Sequence, residues 1–209
     1  EAVSHQVTQY FDPYFVNEKF VSDRASVKGM IAELEQSPAT YRFETSALYQ
    51  QTMRDLQYAQ TIAGDGVLSV WLAGVKNNQV MQSDGYLTDS SFDLKGRIWY
   101  QLLEQNPGVS ILTPAYVDAS TGNLVVTAYT NASGDVIGVI GIDLELDNLM
   151  EFFSGISIGE NGYITVYDSD QNIIYHPDSS VLMSNLSDIQ YSQNMRELLE
   201  NRENSDVVK

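Results

Sequence analysis

The feature that most limits how this chain can fold is a change of hydrophobic period at Gly64-Asp65-Gly66. Upstream, apolar residues return every three or four positions, at Val7, Tyr10, Tyr14, Val27, Met30, Ile31 and Leu34, and again at Leu48, Met53, Leu56 and Ala59. That is the repeat of helices with one buried stripe. Downstream, the apolar runs are short, rich in β-branched residues and bounded by Gly, Asn, Asp and Pro, as strands and turns are. The pattern specifies an α+β chain with a long N-terminal helical region over residues 1–62.

Within that region Pro13 predicts a local disturbance. Ser37-Pro38 predicts a break and then a new helix start, a polar cap followed by Pro at the first helical position. Strands are predicted over 67–72 and 79–83, a loop over 84–96, and a short helix over 97–105 stopped by Pro107-Gly108. A three-strand meander follows at 111–117, 123–130 and 136–143, joined by turns at 120–122 and 132–135. A helix at 144–153, strands at 163–167 and 173–176, a helix at 191–201 and the start of a strand at 205–209 complete the reading. Gly66-Val67-Leu68-Ser69-Val70-Trp71 parallels Gly162-Tyr163-Ile164-Thr165-Val166-Tyr167, 96 residues on (162 − 66). The first copy goes on to three more strands and the second does not. The repeat therefore predicts two related modules, 63–153 and 154–209, the second cut short.

Composition removes several classes of function. With 11 basic against 28 acidic residues, a net charge of −17, the chain lacks the basic footprint that nucleic acid or an anionic membrane surface requires. Any bound anion must therefore be held by a local cation. The chain has no cysteine, so disulfides, thiolate chemistry and Cys-based metal sites are absent. Asp168-Ser169-Asp170-Gln171-Asn172 opens like a calcium loop but has Ile173 where glycine is needed, and reads as a hairpin turn. His5 and His176 make a poor metal set, and no nucleophile elbow, phosphate-binding loop or zinc-protease helix occurs. No cofactor or metal is expected, and the chain is not expected to be an enzyme. It opens at Glu1 rather than Met and carries no run long enough to span a bilayer. We read it as a piece of a longer protein whose membrane segments lie outside it.

Arg97-Ile98-Trp99-Tyr100 stands where a loop enters a helix. A helix N-terminus favours a carboxylate, and the Arg fork can meet one bidentately. Tyr116 and Asp118, two apart on a strand, share a face. Asp143 ends a run that is otherwise apolar and glycine, where a carboxylate needs a partner, and Gly141 on the same face leaves room beside it. One cation, two carboxylates and three aromatic rings suit a zwitterion. Arg97 and Trp99 would take its carboxylate, and Asp143, Asp118, Tyr100 and Tyr116 its ammonium group. Blander readings compete at each position: a surface ion pair for Arg97, core packing for Trp99 and Tyr100, a local turn for Asp118, and a helix N-cap for Asp143.

Three stretches carry a family resemblance: residues 93–100, Thr113-Pro114-Ala115-Tyr116-Val117-Asp118, and Gly138-Val139-Ile140-Gly141-Ile142-Asp143. In this order and spacing they resemble the double Cache family of extracellular sensor domains. Gly162-Tyr163 and Ile174-Tyr175-His176-Pro177 resemble that family's membrane-proximal module. The resemblance implies two stacked PAS-like modules with antiparallel sheets on a long N-terminal helix, with a small molecule bound in the membrane-distal module. It implies an extracytoplasmic place in a membrane receptor (a chemoreceptor, a histidine kinase or a cyclic-dinucleotide enzyme) that pairs as a homodimer. The six residues Arg97, Trp99, Tyr100, Tyr116, Asp118 and Asp143 are similar to the amino-acid-binding subset. The subset often has Tyr five positions before the arginine, where this chain has Phe92, which keeps amines and simple carboxylates open as ligands. Two other classes stay open as well. One is a ligand-independent module that docks a binding protein. The other is a hydrolase pairing Asp118 with Asp143 across an open cleft.

Overall fold

The computed structural model describes residues 2–106, 109–131, 137–156, 163–167 and 170–188. The turn expected at 132–135, the helix at 191–201 and the strand start at 205–209 lie outside the described residues. The helical region resolves into α1 (Ala2–Ser22), α2 (Ala25–Gln36) and α3 (Tyr49–Ala63), with a single 3-10 turn at Phe43–Thr45. Helix α1 runs through Pro13. The break comes instead at Asp23-Arg24, where Arg24 is extended (φ −64°, ψ 136°).

The helix expected from Ser37-Pro38 does not begin there: Ser37 is extended and α3 starts at Tyr49. Distant partners hold the intervening segment open. Phe43 is fully buried, and its amide donates to Gln79 Oε1 at 2.9 Å. Arg42 donates to the Thr88 carbonyl at 2.7 Å, and the Tyr41 hydroxyl to Glu33 at 2.8 Å. Local capping chemistry is worth about 1 kcal/mol and does not outweigh such burial.

The chain divides into two units. In Pro13–Asn148 the strands are β1 (Val67–Gly74), β2 (Gln79–Gln82), β3 (Ile111–Leu112), β4 (Tyr116–Val117), β5 (Leu124–Asn131) and β6 (Gly138–Glu145). They form one antiparallel sheet in the order β2-β1-β6-β5-β3, with β4 also on β5. The single strand expected at 111–117 is split at Thr113-Pro114-Ala115, because Pro114 has no N–H for the ladder. Helix α4 (Ile98–Gln105) begins with Arg97 as its N-cap.

Strand alternation gives the sheet two different faces. Val70, Leu72, Ile140 and Ile142, all fully buried, share a face with Gly74 and Gly138. Helix α2 lies against that face: a Cβ on Gly74 would meet Leu34, and one on Gly138 would meet Ile31 at 2.7 Å. The opposite face carries Ser69, Trp71, Thr127, Tyr129, Gly141 and Asp143. Trp71 and Tyr129 join Trp99, Tyr100 and Leu103 of α4, and Leu94 of the loop before it, in a second core. The candidate site is set into this second face.

The other unit comprises Glu1–Asp12 and Leu149–Lys209. Helix α5 (Leu146–Ser154) enters it, Tyr10 stacks on Phe152 at 4.1 Å, and buried Phe153 meets Tyr175 at 5.5 Å. Its described strands are short: β7 (Val166–Tyr167) pairs antiparallel with β8 (Ile173–Tyr175).

Candidate functional site

The site begins with the register of the sheet. Gly141 and Asp143 of β6 pair with Trp71 and Ser69 of β1 on one side, and with Tyr129 and Thr127 of β5 on the other. Gly141 has no Cβ because the Trp71 ring lies where one would be. The space beside Asp143 that the sequence suggested for a ligand is therefore filled by this indole. The ring is aimed by that contact, and its Nε1 donates to Asp143 Oδ1 at 2.9 Å. Thr127 Oγ1 donates to the same oxygen at 2.6 Å, and the Tyr116 hydroxyl reaches it at 3.4 Å. Ser69 Oγ donates to Oδ2 at 2.9 Å.

Asp143 is thus a strand carboxylate held by four side chains, not a helix cap. Burial pushes its pKa up to about 6, against the pull of the Thr127, Trp71 and Ser69 donors, and the charge of Asp118 pushes it the same way. Tyr116 is raised well above the ordinary tyrosine value, first by burial and then by the Asp143 charge. A proton therefore stays on the Tyr116 hydroxyl, which remains a donor.

Asp118 sits on the turn after β4. Its Oδ2 accepts four bonds, from the amides and hydroxyls of Ser120 and Thr121, at 2.6 to 2.9 Å. Gly122 closes this turn in the left-handed region (φ 79°), and its amide donates to the Asp118 carbonyl at 3.0 Å. Burial raises the Asp118 pKa, but the hydrogen bonds outweigh it and hold the group below the ordinary value, so it is charged at neutral pH. The turn reading of Asp118 and the site reading coexist: Oδ2 serves the turn, and the residue also lines the cavity.

Arg97 donates through Nη2 to the Val117 carbonyl at 2.7 Å, and its guanidinium carbon lies 5.2 Å from the centre of the Tyr116 ring. Neither contact is an ion pair, and among the described residues no carboxylate pairs with it. A cation held against an aromatic face by a backbone carbonyl suits a ligand carboxylate.

Arg97, Trp99, Tyr116, Asp118 and Asp143 line one small cavity of about 20 Å³. Tyr100 is not among its lining residues. It is buried in the second core, and its hydroxyl donates to Glu104 at 2.8 Å. Burial and that carboxylate raise its pKa. The rest of the wall comes from residues that sequence reasoning did not single out as contacts: Trp71, Val80, Gln82, Tyr86, Thr88 and Ala119, together with Phe92. The period-2 rule places Trp71 with Ser69 on one strand face. Only the pairing register puts that face beside Asp143, and a single sequence does not reveal register.

A family model described as Cache domain (dCache_1) matches residues 1–206. The chain is 30% identical over 147 residues to the methyl-accepting chemotaxis protein McpG of Pseudomonas putida, which covers 68% of this chain and 23% of McpG. It is 32% identical over 127 residues to McpA of the same species, covering 59% of this chain and 19% of McpA. The chain thus spans about a quarter or less of the length of these relatives. Among solved structures, the ligand-binding domain of the Pseudomonas fluorescens chemoreceptor CtaA in complex with L-serine aligns with a TM-score of 0.56 and 25% identity. That alignment covers 81% of this chain and 73% of CtaA. The sensory domain of the Campylobacter jejuni chemoreceptor Tlp3 shares the fold, with a TM-score of 0.57 at 22% identity over 96% of this chain and 82% of Tlp3.

Proposed function

This chain belongs to the Cache-domain family, a family of sensor domains and not of enzymes, and we propose that it is the extracytoplasmic amino-acid-binding domain of a membrane chemoreceptor. The observation that carries the reading is the convergence of one cation and two carboxylates, Arg97, Asp118 and Asp143, on one aromatic-walled cavity. In this reading Arg97 takes the ligand's α-carboxylate, and Trp99 is a wall beside it. Asp118 and Asp143 supply negative charge for the α-ammonium group, and Tyr116 sets the distance between the two ends. The bound ligand sits in the membrane-distal module, residues 63–153, and the receptor works as a homodimer. Residues 154–209 belong to a membrane-proximal module. The CtaA ligand-binding domain, solved with L-serine, supports an α-amino acid as the ligand class.

The same convergence weighs against a ligand-independent docking module, which has no need of opposed charges around a cavity. It also weighs against a hydrolase: Asp118 Oδ2 is committed to its turn and Asp143 is held by four donors, so neither is placed to activate water.

A thermal-shift screen of the 209-residue chain with amino acids, amines and small organic acids tests the reading. A ligand that binds only the folded state must raise the melting temperature. At least one α-amino acid is expected to do so, and Arg97→Ala is expected to abolish the response. A screen in which none shifts the transition refutes the ligand claim. An unchanged response in Arg97→Ala removes that residue from the site.

A further inference from the structure

One group in the cavity wall is left over by the α-amino-acid reading. Gln82 ends β2, is only 5% exposed, and lines the cavity, yet its Oε1 is buried without a hydrogen-bond partner. A buried amide oxygen in that state costs free energy unless something meets it. The backbone of Gln82 is fully engaged, its N–H donating to the Tyr86 carbonyl at 2.9 Å, so the side-chain amide is the free end.

Register says which part of a ligand that amide meets. Gln82 pairs with Trp71, and Trp71 with Gly141, so the three form one row across β2, β1 and β6. Adjacent strands lie about 4.8 Å apart, so Gln82 is roughly 10 Å across the sheet from the strand that carries Asp143. Arg97 is farther still in the same direction, bonded to Val117 of β4. The groups proposed for the ligand's α-carboxylate and α-ammonium therefore cluster at the β6–β4 end. Those two groups are only a few bonds apart on any α-amino acid. Whatever reaches Gln82 is the ligand's side chain. Its path runs past Trp71, Val80, Tyr86 and Phe92, which offer apolar surface and no charge.

We infer that Gln82 is the specificity-determining residue for the ligand's side chain, selecting an uncharged hydrogen-bonding terminus, best matched by a carboxamide, over an aliphatic side chain of the same length. A carboxamide presents one donor group and one acceptor, the complement of the Gln82 amide. A hydrocarbon terminus leaves Gln82 Oε1 unmet. A charged terminus finds no counter-ion among these wall residues. The inference rests on the amino-acid reading of the site and adds the class of side chain to it.

The test is calorimetric titration of the 209-residue chain with the near-isosteres L-glutamine and L-methionine, repeated on Gln82→Met. The wild type is expected to bind L-glutamine about tenfold more tightly or better, the usual consequence of leaving a buried polar group unpaired. Gln82→Met is expected to bring the two ligands to parity or reverse them. It is also expected to keep or raise the unliganded melting temperature, since it removes an unsatisfied amide and conserves volume. Should Gln82→Met fail to fold, Gln82→Glu serves instead: it is expected to weaken L-glutamine and gain affinity for L-lysine, and an unchanged ranking overturns the inference. An equal or greater wild-type affinity for L-methionine overturns it, as does an unchanged ratio in Gln82→Met. If no α-amino acid binds the wild type at all, the parent reading has failed rather than the side-chain assignment alone.

Discussion

Asp143→Asn is expected to make this domain more stable and less able to bind. Asp143 is 1% exposed, and burial lifts its pKa from 3.8 to about 6. The sign follows from linkage. A carboxyl group with a raised folded-state pKa binds more protons folded than unfolded between those two values, so stability is full below 3.8 and falls as pH rises through 6. At about 1.4 kcal/mol per pH unit, the charged form costs roughly 3 kcal/mol of stability at pH 8.

Asparagine has the shape of the protonated acid and does not titrate. Oδ1 keeps the Trp71, Thr127 and Tyr116 donors, and the Ser69 hydroxyl can turn from donor to acceptor for the new amide. Urea unfolding of wild type and variant should therefore show Asp143→Asn ahead by about 1–3 kcal/mol at pH 8, with the gap closing by pH 4. Ligand affinity at pH 8 should fall by about 1.5–3 kcal/mol, the value of a hydrogen bond to a charged group. A variant less stable than wild type at pH 8, or a gap that does not depend on pH, refutes the reasoning.

Three further outcomes can be checked. Glu18 is fully buried on α1, neither of its oxygens has a partner in good hydrogen-bond geometry among the described residues, and burial raises its pKa to about 7 against the lowering pull of the Ser110 side chain. Its charged form costs stability as pH rises from 4.5 through 7, so Glu18→Gln should gain up to roughly 3 kcal/mol at pH 8 and nothing at pH 4, again by urea unfolding. Gly141→Ala drives a methyl group into the Trp71 ring, which should cost about 1–3 kcal/mol and abolish ligand-induced thermal stabilisation; a neutral result means the indole is free to move. Trp71→Phe removes the Nε1 donor from Asp143. The Asp143 carboxyl, followed by carbon-detected NMR titration, should then titrate above 6.

Much of the architecture can be read from residue order alone. The change of period at residues 64–66 separates helix from sheet because a helix and a strand bury every third-or-fourth and every second residue respectively. Arg97 at the mouth of α4 follows from local rules and holds in the structure. Tyr116 and Asp118 both line the cavity, but β4 ends at Val117 and Asp118 lies on the turn after it rather than on a shared strand face. The failures are places where distant partners overrule local preference. Ser37-Pro38 has the chemistry of a helix start, yet buried Phe43 and its bond to Gln79 keep residues 38–48 out of an α-helix. Tyr100 looks like a ligand contact beside Trp99, but one helical step turns it into the core and onto Glu104.

By itself, then, the sequence determined the helix-to-sheet order, the acidic surface and the residue types available for a zwitterion, because each of these depends on neighbours in the chain. Only the tertiary structure decided which of those residues meet. The β1–β6 register sets Trp71 in the space left by Gly141 and its Nε1 on Asp143, and the β1–β2 register places the unpartnered Gln82 at the far wall. Strand register is a long-range property: a slip of one residue would turn every one of these side chains to the opposite face, and no local pattern in a single chain records which pairing is adopted.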